Sequence, residues 1–191
     1  MRRQLGTSRY KVVGDKAQAI LGALSVLVGQ RLIGARVFAE GTWHFYFGRR
    51  APLADIENGD GTTYLGVECS WRVHNGDTII IGAEDYDVLG KSADRQLRII
   101  LQLIKEAPLL VDSVDGDEVG GLKIRLTGGY SLDVFPASDT EMEWIFRSLN
   151  SDSLILMDGA LHRADASQEE IGGKPGTGET VPGPNPPDRG A

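Results

Sequence analysis

Alternation of apolar and polar side chains is clearest between Tyr64 and Gly82. Leu65, Val67, Cys69, Trp71 and Val73 fall on one face of an extended chain, and Tyr64, Gly66, Glu68, Ser70 and Arg72 on the other. Asn75-Gly76 then predicts a two-residue type I′ turn, because both residues tolerate positive φ. That loop sets His74 opposite Asp77, Val73 opposite Thr78, Arg72 opposite Ile79 and Trp71 opposite Ile80. Trp71 is assigned to the buried face. Arg72 lands beside Ile79 and Ile81 on a partly covered face, where a guanidinium needs a carboxylate from Glu68 or from another element.

Helical periodicity appears three times. Asp15 to Gly29 reads as a helix capped by Asp15, with Gln18 completing a capping-box pattern, and is expected to be buried on most of its circumference. A second helix spans Ser92 to Lys105, with Leu97, Ile100, Leu101 and Ile104 inward and Arg95, Arg98, Gln102 and Lys105 solvated. A third is predicted from Ser138 to Leu149, with Met142, Ile145, Phe146 and Leu149 as its stripe. Trp144 stands off that stripe and Arg147 follows it, so both become candidates for an interaction surface.

Strands are expected at Arg31–Phe38 and Trp43–Gly48, at Leu109–Val114, and at Leu122–Thr127 and Ser131–Phe135. Matching apolar faces select three-residue loops in both hairpins, with Val37 opposite Phe45 and Leu132 opposite Leu126. Ser153–Met157 reads as an edge strand. These elements predict one α+β domain over residues 10–158, a mostly antiparallel sheet packed by about three helices. Residues 159–191 turn rich in Gly and Pro and are expected to form a disordered tail.

Composition narrows the function. A net charge of −7 disfavours a nucleic-acid or anionic-membrane surface. No apolar run reaches the length of a bilayer span, and Gly29-Gln30-Arg31 is not a leader cleavage site, so a cytoplasmic protein is expected. The single cysteine, Cys69, excludes an intramolecular disulfide and a cysteine zinc site. His44, His74 and His162 lack metal-ligand spacing, and Asp55, Glu57, Asn58 and Asp60 only loosely resemble a calcium loop. No metal and no cofactor are expected. Phosphate-cradling, nucleophile-elbow and metalloprotease motifs are absent. Glu68, Asp85, Asp87 and Asp133 contain no pair singled out by spacing, so no catalytic residue is assigned.

Cys69-Ser70-Trp71-Arg72, followed by Leu132-Asp133-Val134-Phe135-Pro136 and then by Glu141, Trp144, Phe146 and Arg147, resembles a family of small bacterial proteins. That family carries a CPWR-like strand and an FP…E..W..R ending. The resemblance covers Leu32–Leu149, with Ser70 where the family tends to Pro and Ile145-Phe146 separating Trp from Arg. It implies a fold and an intracellular bacterial origin but no activity. The leading expectation is therefore a non-enzymatic protein-interaction module, with an immunity-type protein as one version. Glu68, Trp71, Arg72, Trp144 and Arg147 form its candidate interaction or structural cluster. An unidentified protein partner or a second copy would be bound. The rival is an enzyme or small-ligand binder using the Arg72 face.

Overall fold

The computed structural model describes residues 10–38, 41–48, 63–83, 92–138, 141–148 and 152–164. The loop Arg49–Thr62 with its calcium-like acids, the acidic segment Glu84–Asp87 and residues 165–191 lie outside the described residues. The described chain forms twelve strands: β1 Tyr10–Val12, β2 Arg31–Val37, β3 Trp43–Gly48, β4 Thr63–Val67, β5 Ser70–Asn75, β6 Thr78–Gly82, β7 Val111–Gly116, β8 Leu122–Leu126, β9 Tyr130–Phe135, β10 Met142–Arg147, β11 Ser153–Met157 and β12 Ala160–Ala164. Two α-helices accompany them, α1 Lys16–Leu24 and α2 Ser92–Glu106.

This corrects the expected α+β class. The protein is mostly β, with a seven-stranded antiparallel sheet ordered β1-β12-β11-β10-β4-β3-β2 and a five-stranded one ordered β6-β5-β9-β8-β7. The third expected helix is strand β10. Met142, Ile145, Phe146 and Leu149 fit a helical stripe, yet Trp144 and Phe146 fit period 2 equally well over so short a run. Tertiary pairing decides between them: β10 is hydrogen-bonded on both sides, to β4 and β11. The acid that caps this region is Glu143, whose carboxylate accepts the N–H groups of Ala137 (3.1 Å) and Ser138. The predicted Ser138–Glu141 capping box is not what holds it.

The inward faces of the two sheets share one core. Trp43, Phe45, Phe47, Leu65, Val67, Trp144, Phe146, Leu154 and Leu156 come from the larger sheet, and Trp71, Val73, Ile124, Leu132 and Val134 from the smaller. The sheets are stitched where β2 begins: Gly29 N–H donates to Val111 O and Leu32 N–H to Leu109 O, both at 2.8 Å. They are joined again where β4 runs through Glu68-Cys69 into β5. The single long strand expected there is thus two strands, one in each sheet. Asp15 caps α1 by accepting the Gln18 N–H at 2.9 Å. Arg31 donates to Ile104 O at 3.0 Å, placing a cation at the C-terminal end of α2.

Registers differ from expectation, and in β5–β6 a face changes with them: Ile81, expected on the outward face beside Arg72, is buried. The β5–β6 loop is Gly76-Asp77, with Asn75 opposite Thr78 and a bulge that brings Ile81 opposite Val73. Asn75 stays in the strand because its other edge pairs with Tyr130, and its side chain donates to Gly128 O at 3.0 Å. Val37 faces Trp43, and Leu126 faces Tyr130. Each is a shift of two from the expected pairing, which keeps the same side chains inward. Ser153–Met157 is interior to its sheet rather than at its edge, because β12 pairs beyond it through a turn at Asp158-Gly159 with φ of 51° and 68°. The sheet therefore continues past Asp158 to Ala164.

Trp144 is fully buried, and its indole N–H donates to Gly120 O at 2.8 Å. Trp144→Ala is expected to destabilise the protein by about 3–5 kcal/mol through cavity formation. Trp144→Phe retains much of the volume but strands the Gly120 carbonyl, for about 1–3 kcal/mol. Urea unfolding of both variants measures the two contributions.

Candidate functional site

The outward face of the five-stranded sheet gathers most of its ionic chemistry. Trp71 and Val73 point inward from β5, so Arg72 and His74 point outward. Cross-strand pairing then aligns Arg72, Asp133, Lys123 and Asp115 in one row over β5, β9, β8 and β7. Charges alternate along this row, an arrangement in which each neighbour stabilises the next. The next row is His74, Ser131, Arg125 and Ser113.

Asp133 is the hub. Its carboxylate is almost fully covered, with 6% of the side chain exposed. It accepts from Arg72 Nη2 at 3.1 Å, from Ser131 Oγ at 2.8 Å, and lies 3.2 Å from His74 Nε2. The acidic partner anticipated for Arg72 is thus supplied by another strand and not by Glu68. Arg72 also lies over the Phe135 ring, 4.7 Å from its centre, so the guanidinium is held from two directions. Farther along, Arg125 pairs with Asp115 and donates to Ser113 Oγ at 3.2 Å.

A groove of about 380 Å³ runs beside this row, bordered by Arg72, Lys123, Asp133, Phe135, Asp117 and Val119. Its rim is the loop between β7 and β8. Asp117 Oδ1 accepts the N–H groups of Val119 (3.0 Å) and Gly121 (2.7 Å), closing the loop on itself. Gly120, at φ +98°, leaves no room for a Cβ beside Leu156. Trp144 holds the Gly120 carbonyl from the core side, so it supports the rim from beneath instead of touching anything outside.

The five residues singled out from the sequence separate. Trp71 is buried, packed edge-on against Trp43 and Phe45 at ring separations of 4.8 and 5.2 Å. Arg72 joins the charged row. Glu68 turns toward Thr42, whose hydroxyl donates to it at 3.2 Å. Trp144 is core, and with its helix gone the argument for an exposed contact goes too. Arg147 lies on the outward side of the other sheet, near Ser153 Oγ at 3.4 Å. Asp133 and Phe135, which organise the face, were missed as site residues. The register expected for this hairpin, with Leu132 opposite Leu126, also sets Arg125 opposite Asp133, and that was the available signal: it put Asp133 beside a cation, two residues from its true partner Lys123.

Burial explains two other groups. The Cys69 thiol is pushed up to about 12 by burial first and by the Glu143 carboxylate second. It is a half-buried thiol packed against the core, and its environment favours the protonated form. His44 lies on the outward side of the larger sheet, stacked on Tyr64 at 4.7 Å. Burial and the nearby Arg36 lower it from 6.5 to about 4. Among the described residues, no cluster of three His, Cys, Asp or Glu side chains could hold a metal ion, and no helix is long and apolar enough to cross a membrane. Comparison with protein-family models, curated proteins and solved structures finds no match to this chain.

Asp133→Ala leaves Arg72, His74 and Ser131 without their shared acceptor and is expected to cost about 2–4 kcal/mol. Arg72→Ala is expected to cost no more than about 1 kcal/mol, because that side chain is 42% exposed. Chemical denaturation of both variants checks the order. For His44, the folded value lies below the unfolded one, so the unfolded chain binds more protons between pH 6.5 and 4. Its contribution is complete above pH 6.5 and is lost as pH falls toward 4. His44→Gln should therefore show a shallower fall of stability across that window, measured by unfolding at several pH values.

Proposed function

We propose that this protein is a non-enzymatic protein-binding module whose binding face is the outward side of the five-stranded sheet. The observation that carries this reading is the row Arg72–Asp133–Lys123–Asp115, fixed by a buried carboxylate and flanked by the exposed side chains Phe135 and Val119. Its charged groups largely engage one another, which leaves shape, an aromatic edge and surface charge to act on a partner. Ordered arginine and aromatic side chains on an open face are the usual anchors of protein contacts. Asp115, Asp117 and Glu118 are exposed on the β7 side of this face, and the whole chain carries −7. Together they favour a basic partner and association that weakens with salt. An immunity-type role, in which an acidic protein masks a basic toxin, is one version.

A second reading has a specific observation behind it. The groove of about 380 Å³ places Arg72 beside Asp115, Asp117 and Asp133, which suits a small zwitterion. In that case a free amino acid or similar ligand would raise the melting temperature, and Arg72→Ala would abolish the shift.

The test begins by isolating partners from the native cell on the immobilised protein, then measuring the purified pair by calorimetry. Phe135→Ala and Arg72→Glu should each weaken binding at least tenfold, while Lys105→Ala, at an exposed position in the last turn of α2, should not. Equal affinity for all three variants would remove the binding face from consideration.

A further inference from the structure

Among the described residues, five charged side chains border the groove beside the ionic row, and their charges are not all matched. Arg72 and Asp133 engage each other at 3.1 Å, and Asp115 pairs with Arg125 on the neighbouring strand. Lys123 and Asp117 remain. Among the described residues neither forms an ion pair, with the other or with any third group. Lys123 is half-buried on β8, between Asp115 of β7 and Asp133 of β9, both of which already have cationic partners.

Asp117 is held in one orientation. Its Oδ1 accepts the N–H groups of Val119 and Gly121, which leaves Oδ2 with no hydrogen bond among the described residues. A Cβ at Gly121 would overlap that Oδ2, so glycine is what lets the carboxylate lie at this edge of the groove. One carboxylate and one ammonium thus face the same hollow with bonding capacity unused.

Charge then selects the ligand. A purely cationic molecule is repelled by Lys123 and a purely anionic one by Asp117. A molecule with both an ammonium and a carboxylate makes charge-assisted hydrogen bonds at each end. The rest of the wall is apolar: Val119 is 70% and Phe135 42% exposed, with Pro136 beside them. The Arg72 guanidinium lies over the Phe135 ring, so this wall is presented in a set position. A volume of about 380 Å³ is at the lower end of the range for small-molecule sites.

We infer that the groove takes an α-amino acid with a large apolar side chain, its ammonium on Asp117, its carboxylate on Lys123 and its side chain against Phe135 and Val119. The inference rests on the small-ligand reading above and adds to it the two anchoring residues and the kind of side chain accepted. Arg72, engaged by Asp133, contributes by holding the apolar wall.

Calorimetry of the full chain against the common free amino acids tests this, with L-phenylalanine as the main probe. N-acetyl-L-phenylalanine lacks the ammonium and L-phenylalaninamide lacks the carboxylate. The expected result is that L-phenylalanine binds, while glycine and both capped forms bind at least tenfold more weakly. Lys123→Gln and Asp117→Asn should each weaken L-phenylalanine at least tenfold, and Lys105→Ala should not. Asparagine keeps the Oδ1 acceptor that closes the loop, and the capped ligands probe the same two contacts on the unaltered protein. If no free amino acid binds, the small-ligand reading fails and this inference with it. If L-phenylalanine binds and either its capped forms or the two variants retain that affinity, the small-ligand reading stands and the assigned anchors are overturned. Glycine or polar amino acids binding as tightly as L-phenylalanine would overturn the apolar part.

Discussion

Glu143 is the residue on which the two-sheet arrangement depends. It is buried at a bulge in β10, and its two oxygen-bearing groups face different segments. Its backbone carbonyl accepts the N–H groups of Glu68 at 2.9 Å and Cys69 at 3.3 Å, where the chain leaves one sheet for the other. Its carboxylate accepts the N–H groups of Ala137 and Ser138, where the chain returns from β9 toward β10, and raises the pKa of the nearby Cys69 thiol. A corner between sheets exposes backbone donors that neither ladder satisfies, and buried donors must find acceptors. One residue meets that need for both crossings. The placement of β5 and β9 side by side, and so the meeting of Arg72 with Asp133, follows from it.

The parity of most strands was legible in the sequence, and their partners were not; in β6 a bulge, which leaves no mark in the alternation, turns Ile81 inward where it was expected beside Arg72. Leu65, Val67, Trp71 and Val73 were assigned inward correctly because period 2 depends only on neighbours along the chain. The break at Glu68-Cys69 was invisible, since a corner that keeps the alternation leaves no trace in it. Two hairpin registers moved by two residues and kept their faces, as even shifts must. The helical reading of Ser138–Leu149 failed where two periodicities overlap and only long-range pairing chooses. The Asp158-Gly159 pair did offer a hairpin signal, but the polar strand Ala160–Ala164 beyond it has too little alternation to stand out.

The candidate site follows the same division. Arg72 was recognisable as a cation on a half-covered face in need of an acid, because that requirement is local chemistry. Its partner came from a strand sixty-one residues away, and sequence spacing carries no information about such a meeting. Trp144 shows the converse. Its prominence came from an assumed helix, and once the segment is a strand the same side chain becomes a core support for the β7–β8 loop. A large aromatic near an arginine marks an interface only when its element is correctly known.

Strand β7 separates the core from the charged row. Its inward side at Gly116 receives Ile20 of α1, close enough that only glycine fits. Its outward side carries Asp115, the last charge of the row. One side of the strand is therefore fixed by close packing and the other by ion pairs. A row of cross-strand charges keeps its geometry only while its strands hold their places, and the fit of Ile20 against Gly116 holds β7 from beneath. The division of apolar and ionic chemistry between opposite sides of one strand is what lets the charged face stay ordered.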